Sequence, residues 1–176
     1  MTRPVPDEVI IGLLKSNPAH GYDLLDTFRS NDQLGHVWSL STSQLYAVLK
    51  RLEIVGAIKG EKQEQVDAPV RIVFSVTEKG EYQLEHWLFE KDLSSSIHRI
   101  RVLFLSRLYI ANLLDIGIEK IVDNQRSVCE QQLENLLVEK KEARSSFEKL
   151  TLDFIIGQLE SALLWLDQCE KEYSKK

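Results

Sequence analysis

The sequence predicts a mainly α-helical protein that contains one small β-hairpin. Through most of the chain, apolar residues recur every three or four positions, which is the period of an amphipathic helix. Between residues 70 and 76 the period changes to two, which is typical of a half-buried strand. Beyond residue 97 no strand signal follows. We therefore expect two domains, a helix-and-hairpin domain in residues 1–91 and a domain of long antiparallel helices in residues 97–176.

Length, composition and charge limit the function classes that fit this chain. Its 176 residues, 43% of them hydrophobic and 28% charged, can bury a core. The longest apolar runs are too short to cross a bilayer, and the acidic start "MTRPVPDE" lacks the features of an export signal. We therefore expect a cytoplasmic protein without a membrane partner. The net charge of −5 argues mildly against nucleic acid, but phosphate contacts depend on local charge.

Three helices are predicted before the hairpin. The first is Asp7–Ser16, and Pro18 ends it because proline disfavours helical geometry in the residue before it. The second lies in "HGYDLLDTFRS". The third begins at Ser41, since Ser41 and Gln44 have the spacing of a capping box, and Gly56 follows as a residue able to take the left-handed conformation. Its buried stripe is predicted to comprise Leu45, Val48, Leu49, Leu52 and Val55.

A hairpin and a fourth helix complete the first domain. "IKGEKQE" (Ile58–Glu64) is a weak strand and "VRIVFSV" (residues 70–76) a stronger one, with a hairpin loop of about five residues between them. The fourth helix is expected to open at Thr77. The alternation in the second strand predicts one buried face made of Val70, Ile72, Phe74 and Val76.

The second domain is predicted to consist of long helices. "RIRVLFLSRLYIANLL" is apolar around most of its circumference, so it should be buried. After a break at Asp115–Gly117, we expect one helix from about Ile118 to Leu150 and a last one from about Leu152. Nine positions of the long helix step by four and three, and seven of them are apolar, as in a heptad seam. These positions are Val122, Arg126, Cys129, Leu133, Leu136, Lys140, Ala143, Phe147 and Leu150.

A seam of that length requires a partner helix. A helix of about 30 residues spans about 45 Å at 1.5 Å per residue, which is more than so small a chain can cover. We therefore expect a homodimer held by the last two helices and the apolar segment before them. The residues predicted to form this interface are Leu103, Phe104, Leu133, Leu136, Phe147, Leu159, Leu163 and Leu166.

The outer face of the third helix is small, polar and basic. Opposite the buried stripe lie Ser43, Ala47, Lys50 and Ile54, flanked by Tyr46 and Arg51. A helix in the major groove of DNA requires such a face, because small residues allow close approach, hydroxyls and amides reach base edges, and lysine binds guanine or phosphate. A solvated helix face with an ordinary cap is the alternative interpretation.

The surrounding elements favour DNA. A helical trio followed at once by a two-stranded hairpin is the order of a winged helix-turn-helix, whose recognition helix makes base contacts near its N-terminal turn. Within residues 41–59, three cations oppose one carboxylate. The hairpin can lie beside the duplex. The predicted DNA contacts of the third helix and the hairpin are Ser41, Thr42, Ser43, Gln44, Tyr46, Lys50, Lys62 and Arg71.

Three stretches resemble the PadR family of bacterial transcriptional regulators: "IIGLLKSNPAHGYDLLDTF", "LSTSQLYAVLKRLEIVGAI" and "VFSVTEKGEYQLEHWL". The matching elements are "HGY" at the start of the second helix, "S-x-x-x-LY-x-x-L-x-x-LE-x-x-G" in the third, and "T-x-x-G" after the hairpin. The resemblance covers residues 5–91. The C-terminal half, with "LTLDFIIGQLESALLWLDQC", resembles more loosely the helical dimerisation region of a subgroup that includes virulence activators.

The resemblance implies a homodimeric winged-helix protein that binds a pseudo-palindromic operator in double-stranded DNA, usually as a repressor. It implies that His20, Gly21 and Tyr22 open the second helix near the DNA backbone. It also implies that Ser43, Tyr46 and Lys50 lie on the recognition helix, and that Arg71 is the arginine common on the second wing strand.

The sequence departs from the family at two places. Ala47 stands where proline is frequent, which costs the helix nothing. Asp67–Pro69 stands where a Gly-Arg-Pro type of wing tip is usual, and Ala68 replaces the basic residue. The resemblance therefore does not imply that this wing enters the minor groove.

Other functional classes find little support in the sequence. It contains no glycine-rich phosphate loop, no H-E-x-x-H motif and no C-x-x-C pair, and its histidines lack metal-ligand spacing. We therefore expect neither an enzyme nor a metal ion or other cofactor. Cys129 and Cys169 are interpreted as buried free thiols, with a disulfide or a metal site as the alternative.

Two alternatives stay open. Trp165 lies on an apolar face and is assigned to the core, with a role in binding a small-molecule effector of unknown identity as the alternative. The competing function is a helical interaction module whose winged helix binds a protein partner. The acidic balance and the loss of the basic wing tip favour that second function.

Overall fold

The computed structural model describes residues 4–65 and 68–173. Helices dominate and the strands form one small antiparallel sheet, so the predicted fold class is confirmed. The elements of the first half are α1 (Asp7–Ser16), β1 (Ala19–His20), α2 (Gly21–Arg29), α3 (Thr42–Ile54), β2 (Ile58–Gln65), β3 (Ala68–Val76) and α4 (Glu78–Leu88). The elements of the second half are α5 (Ile97–Arg99), a π-helical turn (Ile100–Phe104), α6 (Leu105–Leu113), α7 (Glu119–Glu142) and α8 (Ser146–Tyr173).

Internal contacts divide the chain into two compact units, and the division does not follow chain order. The first unit ends at Leu88 but also includes Leu105–Ile116, which carries α6. The second unit contains Phe89–Phe104 and the residues from Gly117 onward, and so holds α7 and α8. The sequence predicts domains in residues 1–91 and 97–176 that fold independently. That division stays a prediction, because compactness does not measure independent folding.

The junction between the sheet and α4 explains the "T-x-x-G" motif. The Thr77 hydroxyl donates a hydrogen bond to the carbonyl oxygen of Gly56 at 2.7 Å, and it accepts one from the backbone N–H of Gly80 at 3.2 Å. Thr77 therefore caps α4, as predicted. A side chain at Gly80 would place its Cβ 2.1 Å from the carbonyl oxygen of Ala57, so only glycine fits there. Gly56, with φ of 74°, takes the predicted left-handed conformation.

Among the described residues the sheet has three strands in the order β1-β3-β2, all antiparallel. The short strand β1 was not predicted. Because β2 extends to Gln65 and β3 starts at Ala68, the predicted five-residue hairpin loop is too long. The predicted buried face is only partly correct, since Phe74 is buried but Ile72 is 43% exposed. The unusual wing tip at Asp67 lies outside the described residues, as do the side chains of residues 64, 65 and 68–70.

The prediction of one helix from Ile118 to Leu150 is wrong. Helix α7 ends at Glu142 and α8 begins at Ser146, six residues before the predicted start of the last helix. A second capping box causes the break: the Ser145 hydroxyl accepts from the backbone N–H of Glu148 at 3.1 Å, and the Glu148 carboxylate accepts from the backbone N–H of Ser145 at 3.4 Å. With 24 residues, α7 is about 36 Å long.

Helix α8 covers the seam of α7 within the same chain. Val122, Cys129 and Leu136 are buried beneath it. Arg126, in the same seam, reaches the carboxylates of Asp167 and Glu170 on α8, the second at 2.8 Å. The polar interruptions of the seam therefore make ion pairs between the two helices of one chain.

The residues predicted to form the dimer interface differ widely in exposure. Phe104, Leu136, Leu159 and Leu166 are buried within their own chain. Leu103, Leu133 and Leu163 are half-buried. Phe147 is 80% exposed. Their part in an interface stays a prediction.

Candidate nucleic-acid interface

Helix α3 presents the predicted outer face to solvent. Leu45, Val48, Leu49 and Leu52 are buried, while Val55, the last residue of the predicted stripe, is 44% exposed. At the start of α3, the Ser41 hydroxyl accepts from the backbone N–H of Gln44 at 3.2 Å, and the Gln44 amide oxygen accepts from the backbone N–H of Ser41 at 2.8 Å. The predicted capping box is confirmed, and it occupies these two side chains. All six predicted contacts at α3 are exposed, and those outside the capping box are Thr42, Ser43, Tyr46 and Lys50.

Lys50 points outward, and within the described residues no hydrogen bond or ion pair holds its ammonium group. Its nearest acidic neighbour on the helix is Glu53. The carboxylate of Glu53 instead accepts a hydrogen bond from the backbone N–H of Gly60 at 3.0 Å. The charge of Lys50 therefore remains available to a ligand.

Arg51, the next residue, has a different role. Its guanidinium forms an ion pair with Asp7 on α1, and its Nε donates to Asp7 Oδ2 at 3.1 Å. That hydrogen bond raises the pKa of the Arg51 guanidinium above its ordinary value. Of these two adjacent cations of α3, Arg51 therefore contributes to the fold, whereas Lys50 belongs to the outer face.

A cleft of about 430 Å³ lies between the start of α2, the middle of α3 and strand β3. It brings together five of the residues that were predicted to contact DNA. A Cβ on Gly21 would lie 2.8 Å from the Tyr46 hydroxyl oxygen, so the phenol ring rests directly on the first residue of α2. The predicted contacts that line the cleft are His20, Gly21, Tyr22, Tyr46 and Arg71, and the other lining residues are Asp23, Ile72 and Phe74.

His20 connects the cleft to the wing. Its ring Nδ1 lies 2.9 Å from the carbonyl oxygen of Ile72, which can only accept, so Nδ1 carries the hydrogen. Its backbone pairs with Val73 in the sheet. The backbone N–H of His20 also donates to Asp23 Oδ2 at 3.2 Å. Asp23 was not predicted as a site residue, although its position three residues after a helix cap is the signal that could have found it.

The cations of the wing are partly engaged. Lys59 forms an ion pair with Glu61 at 2.7 Å, and that hydrogen bond lowers the pKa of the Glu61 carboxyl below its ordinary value. Lys62 on β2 and Arg71 on β3 are exposed, and no ion pair holds either within residues 4–65 and 68–173. Lys62 is not among the residues that line the cleft. The structure therefore gathers Arg71 with the α2 and α3 residues but leaves Lys62 apart.

Other kinds of site find no support in the described part of the chain. It contains no cluster of His, Cys, Asp or Glu side chains that could hold a metal ion. No described helix is long and apolar enough to cross a membrane. Cys129 and Cys169 are both buried and free, so their interpretation as buried free thiols is confirmed.

The chain is similar to known bacterial regulators. The model of the family described as "Transcriptional regulator PadR-like family" matches residues 10–86. The negative transcriptional regulator PadR of Bacillus subtilis is 33% identical over 79 residues, which make up 45% of this chain and 42% of that protein. The alignment thus spans less than half of the curated relative.

Solved structures cover more of the chain at lower identity. The crystal structure of Bacillus subtilis PadR in complex with operator DNA is 22% identical and covers 94% of this chain and 97% of that chain, with a TM-score of 0.49. The structure of the same protein in complex with p-coumaric acid is 20% identical and covers 97% and 98%, with a TM-score of 0.44. The subgroup predicted from the C-terminal half stays a prediction, because the family model stops at residue 86. Residues 10–86 of this chain are therefore similar in sequence to the transcriptional regulator PadR-like family.

Proposed function

We propose that this chain is a sequence-specific DNA-binding transcriptional regulator, and that it acts in the cytoplasm as a homodimer and a repressor on a pseudo-palindromic operator. The name of its curated relative, a negative transcriptional regulator, supports repression. The role of α3 as recognition helix rests on one observation: Lys50 stands on a small, polar outer face, and its only acidic neighbour along α3 is bonded to Gly60.

The chemistry of that face suits the major groove. Thr42 and Ser43 offer hydroxyl groups in the first turn of α3, where recognition helices contact base edges. Ala47 leaves room for the helix to approach the bases closely. Lys50 follows two turns after Ser43 and brings a positive charge to guanine or phosphate.

The cleft beside α3 suits the DNA backbone. The first residues of α2 line this cleft, and helix N-termini bind phosphate through backbone N–H groups that have no partner within the helix. The Tyr46 hydroxyl lies over Gly21, and the exposed Arg71 guanidinium lines the same cleft. Asp23 is the unfavourable neighbour, because its carboxylate would repel phosphate. We therefore assign the cleft to a single phosphate contact and α3 to sequence readout.

Lys50→Ala, with Arg51→Ala as its neighbouring control, tests the proposal. Loss of a guanine contact would cost about 1–3 kcal/mol of binding free energy and relax the sequence preference at one base pair per operator half-site. Loss of a phosphate contact would lower the affinity for all DNA sequences alike. It would also reduce the slope of log affinity against log salt concentration by about one per contact. Arg71→Ala should give only the second result. Arg51→Ala should leave DNA affinity unchanged and lower stability by about 0.2–1 kcal/mol, because its ion pair is partly exposed.

The measurement is a titration of the chain's own upstream DNA and of a scrambled duplex at several salt concentrations, with the melting temperature of each variant as a folding control. If Lys50→Ala bound the operator as tightly as the wild type does, the assignment of α3 as recognition helix would be refuted. A wild-type chain without salt-dependent DNA affinity would refute DNA binding altogether.

A protein-interaction module is the second candidate function. Ile54, at the end of the outer face of α3, is 75% exposed, and Val55 beside it is 44% exposed. Apolar side chains at that place suit a protein surface better than a phosphate backbone. This candidate predicts that Ile54→Lys leaves folding intact and abolishes partner binding, whereas the DNA proposal predicts that the added cation strengthens binding to both duplexes.

A further inference from the structure

Helix α8 has two apolar faces, and only one is covered within the chain. Leu152, Ile156, Leu159 and Leu166 are buried on the face that packs against α7. On the opposite side, Phe147 is 80% exposed, and Leu150, Phe154 and Leu164 are each exposed by about two-thirds. We call the second side the outer face of α8 and define it by Phe147, Leu150, Phe154, Gly157, Ser161 and Leu164.

The outer face is an uninterrupted seam. Its members step by three, four, three, four and three residues, which keeps them on one stripe at about 3.6 residues per turn. The seam is about 26 Å long, because about 17 steps of 1.5 Å separate Phe147 from Leu164. At 100° per residue, no charged side chain falls on this stripe between Phe147 and Gln168. Burial of the seam would remove a large apolar area from water at no electrostatic cost.

Large and small residues alternate along the seam, so the same seam of a second chain can pack against it. Gly157 has no atom within 4 Å of the place where its Cβ would lie, so it forms an open notch. The notch lies one turn after the exposed ring of Phe154. Ser161, one turn further, is the next small residue. A ring of one copy can therefore enter the notch of another.

We propose that the outer face of α8 pairs with the same face of a second chain in an antiparallel arrangement, about a two-fold axis level with the bond between Ile155 and Ile156. Residues equally far from that point meet: Phe154 packs on the partner's Gly157, Leu150 on the partner's Ser161, and Phe147 on the partner's Leu164. Each contact occurs twice, as a two-fold interface requires. This inference rests on the proposed homodimer and specifies the surface that forms it.

The charges along the edge of the seam agree with this register. Lys149 precedes Leu150 and Glu160 precedes Ser161, so both lie on the same edge of the stripe. In an antiparallel pair this edge meets itself, which brings Lys149 close to the partner's Glu160. Within the described residues neither side chain has an ion pair. Asp153, the other carboxylate of that stretch of the edge, is neutralised within the chain by Lys140 at 2.5 Å.

Charge reversal tests both the face and the register. Lys149→Glu places a carboxylate opposite the partner's Glu160 at two symmetric positions, which should raise the dimer dissociation constant about tenfold. Glu160→Lys should do the same by opposing two lysines. The double variant restores the attraction with its direction reversed and should dimerise like wild type. Lys171→Glu is the matched control, because this exposed lysine lies on the same edge beyond the paired segment.

Sedimentation equilibrium from nanomolar to micromolar concentration measures the dissociation constants, and helical content by circular dichroism checks folding. Gly157→Leu, which fills the notch, should weaken the dimer more than either single reversal. A monomeric wild type would overturn the inference. So would a wild-type dimer that the single reversals leave unchanged, or that the double variant does not recover. A dimer with these properties but without operator affinity would instead refute the proposed function and leave this interface intact.

Discussion

The indole Nε1 of Trp38 donates a hydrogen bond to the Oγ of Ser106 at 2.8 Å, and both side chains are buried. Trp38 lies in the loop before α3, three residues ahead of the Ser41 cap. Ser106 lies on α6, 68 positions along the chain from Trp38. The pair therefore fixes the approach to α3 from a helix that belongs to the second half of the sequence but to the first compact unit.

Ser106→Ala should destabilise the protein by about 1–3 kcal/mol, because it leaves the Trp38 N–H buried without its acceptor. Urea unfolding followed by tryptophan fluorescence measures the effect. Ser39→Ala is the control, since Ser39 is exposed in the same loop, and its stability should match wild type. Equal stability of Ser106→Ala and wild type would show that the hydrogen bond contributes nothing.

The sequence predicted α1 to α4 well because each carries its own local signals. Ser41 and Gln44 mark the start of α3, Gly56 its end, and Thr77 the cap of α4. The Trp38–Ser106 bond, the Arg51–Asp7 ion pair and strand β1 could not be predicted in the same way. Each joins residues distant in sequence, and a single sequence carries no signal for such pairing.

Gly21→Ala should weaken DNA binding without loss of stability. The new Cβ would lie 2.8 Å from the Tyr46 hydroxyl oxygen, and the phenol can rotate away because that oxygen is the far end of a side chain. The expected loss is that of one hydrogen bond, about 0.5–1.5 kcal/mol of binding free energy. In a double-mutant cycle with Tyr46→Phe, the second substitution should add little. Additive losses would place the Tyr46 hydroxyl outside the phosphate contact.

Ser145→Ala should destabilise the second unit by about 0.5–2 kcal/mol, because it removes the cap of α8. Ser146→Ala is a closely matched control, since Ser146 is the first helical residue and its side chain caps nothing. Thermal unfolding by circular dichroism compares the two. The same loss in both variants would show that the hydroxyl of Ser145 is not the cap.

Cys169 should make the protein less stable at high pH. Burial raises the pKa of its thiol from 9.0 to about 11, so the unfolded chain releases this proton at a lower pH than the folded chain does. The contribution to stability is fully present below about pH 9 and is lost as the pH rises toward 11. The urea midpoint of wild type should therefore fall more steeply between pH 8 and 10.5 than that of Cys169→Ala. Equal pH dependence of the urea midpoint in the two proteins would contradict a raised pKa for the Cys169 thiol.

The boundary between α7 and α8 was predicted wrongly although the signal is in the sequence. Ser145 and Glu148 have the spacing of a capping box, the same pattern that correctly located α3. The continuous heptad seam obscured it, because Ala143, Phe147 and Leu150 keep the period across the break. The contribution of Phe147 and Leu150 to a second face of α8, and not to the α7 seam, could be recognised only from their exposure.

The first unit combines two segments that are separate in the chain, and this has a consequence for its synthesis on the ribosome. Helix α6 packs on α1, where Gly12 contacts Ile110 so closely that a Cβ on Gly12 would lie 2.5 Å from it, and Arg107 donates to the carbonyl oxygen of Trp87 at 2.9 Å. Helices α1 to α4 leave the ribosome first, yet they lack this packing until residues 105–116 have followed. A nascent chain therefore completes the packing of its first unit only after about two-thirds of it has been translated, and the proposed recognition surface on α3 is complete only once α6 has been made.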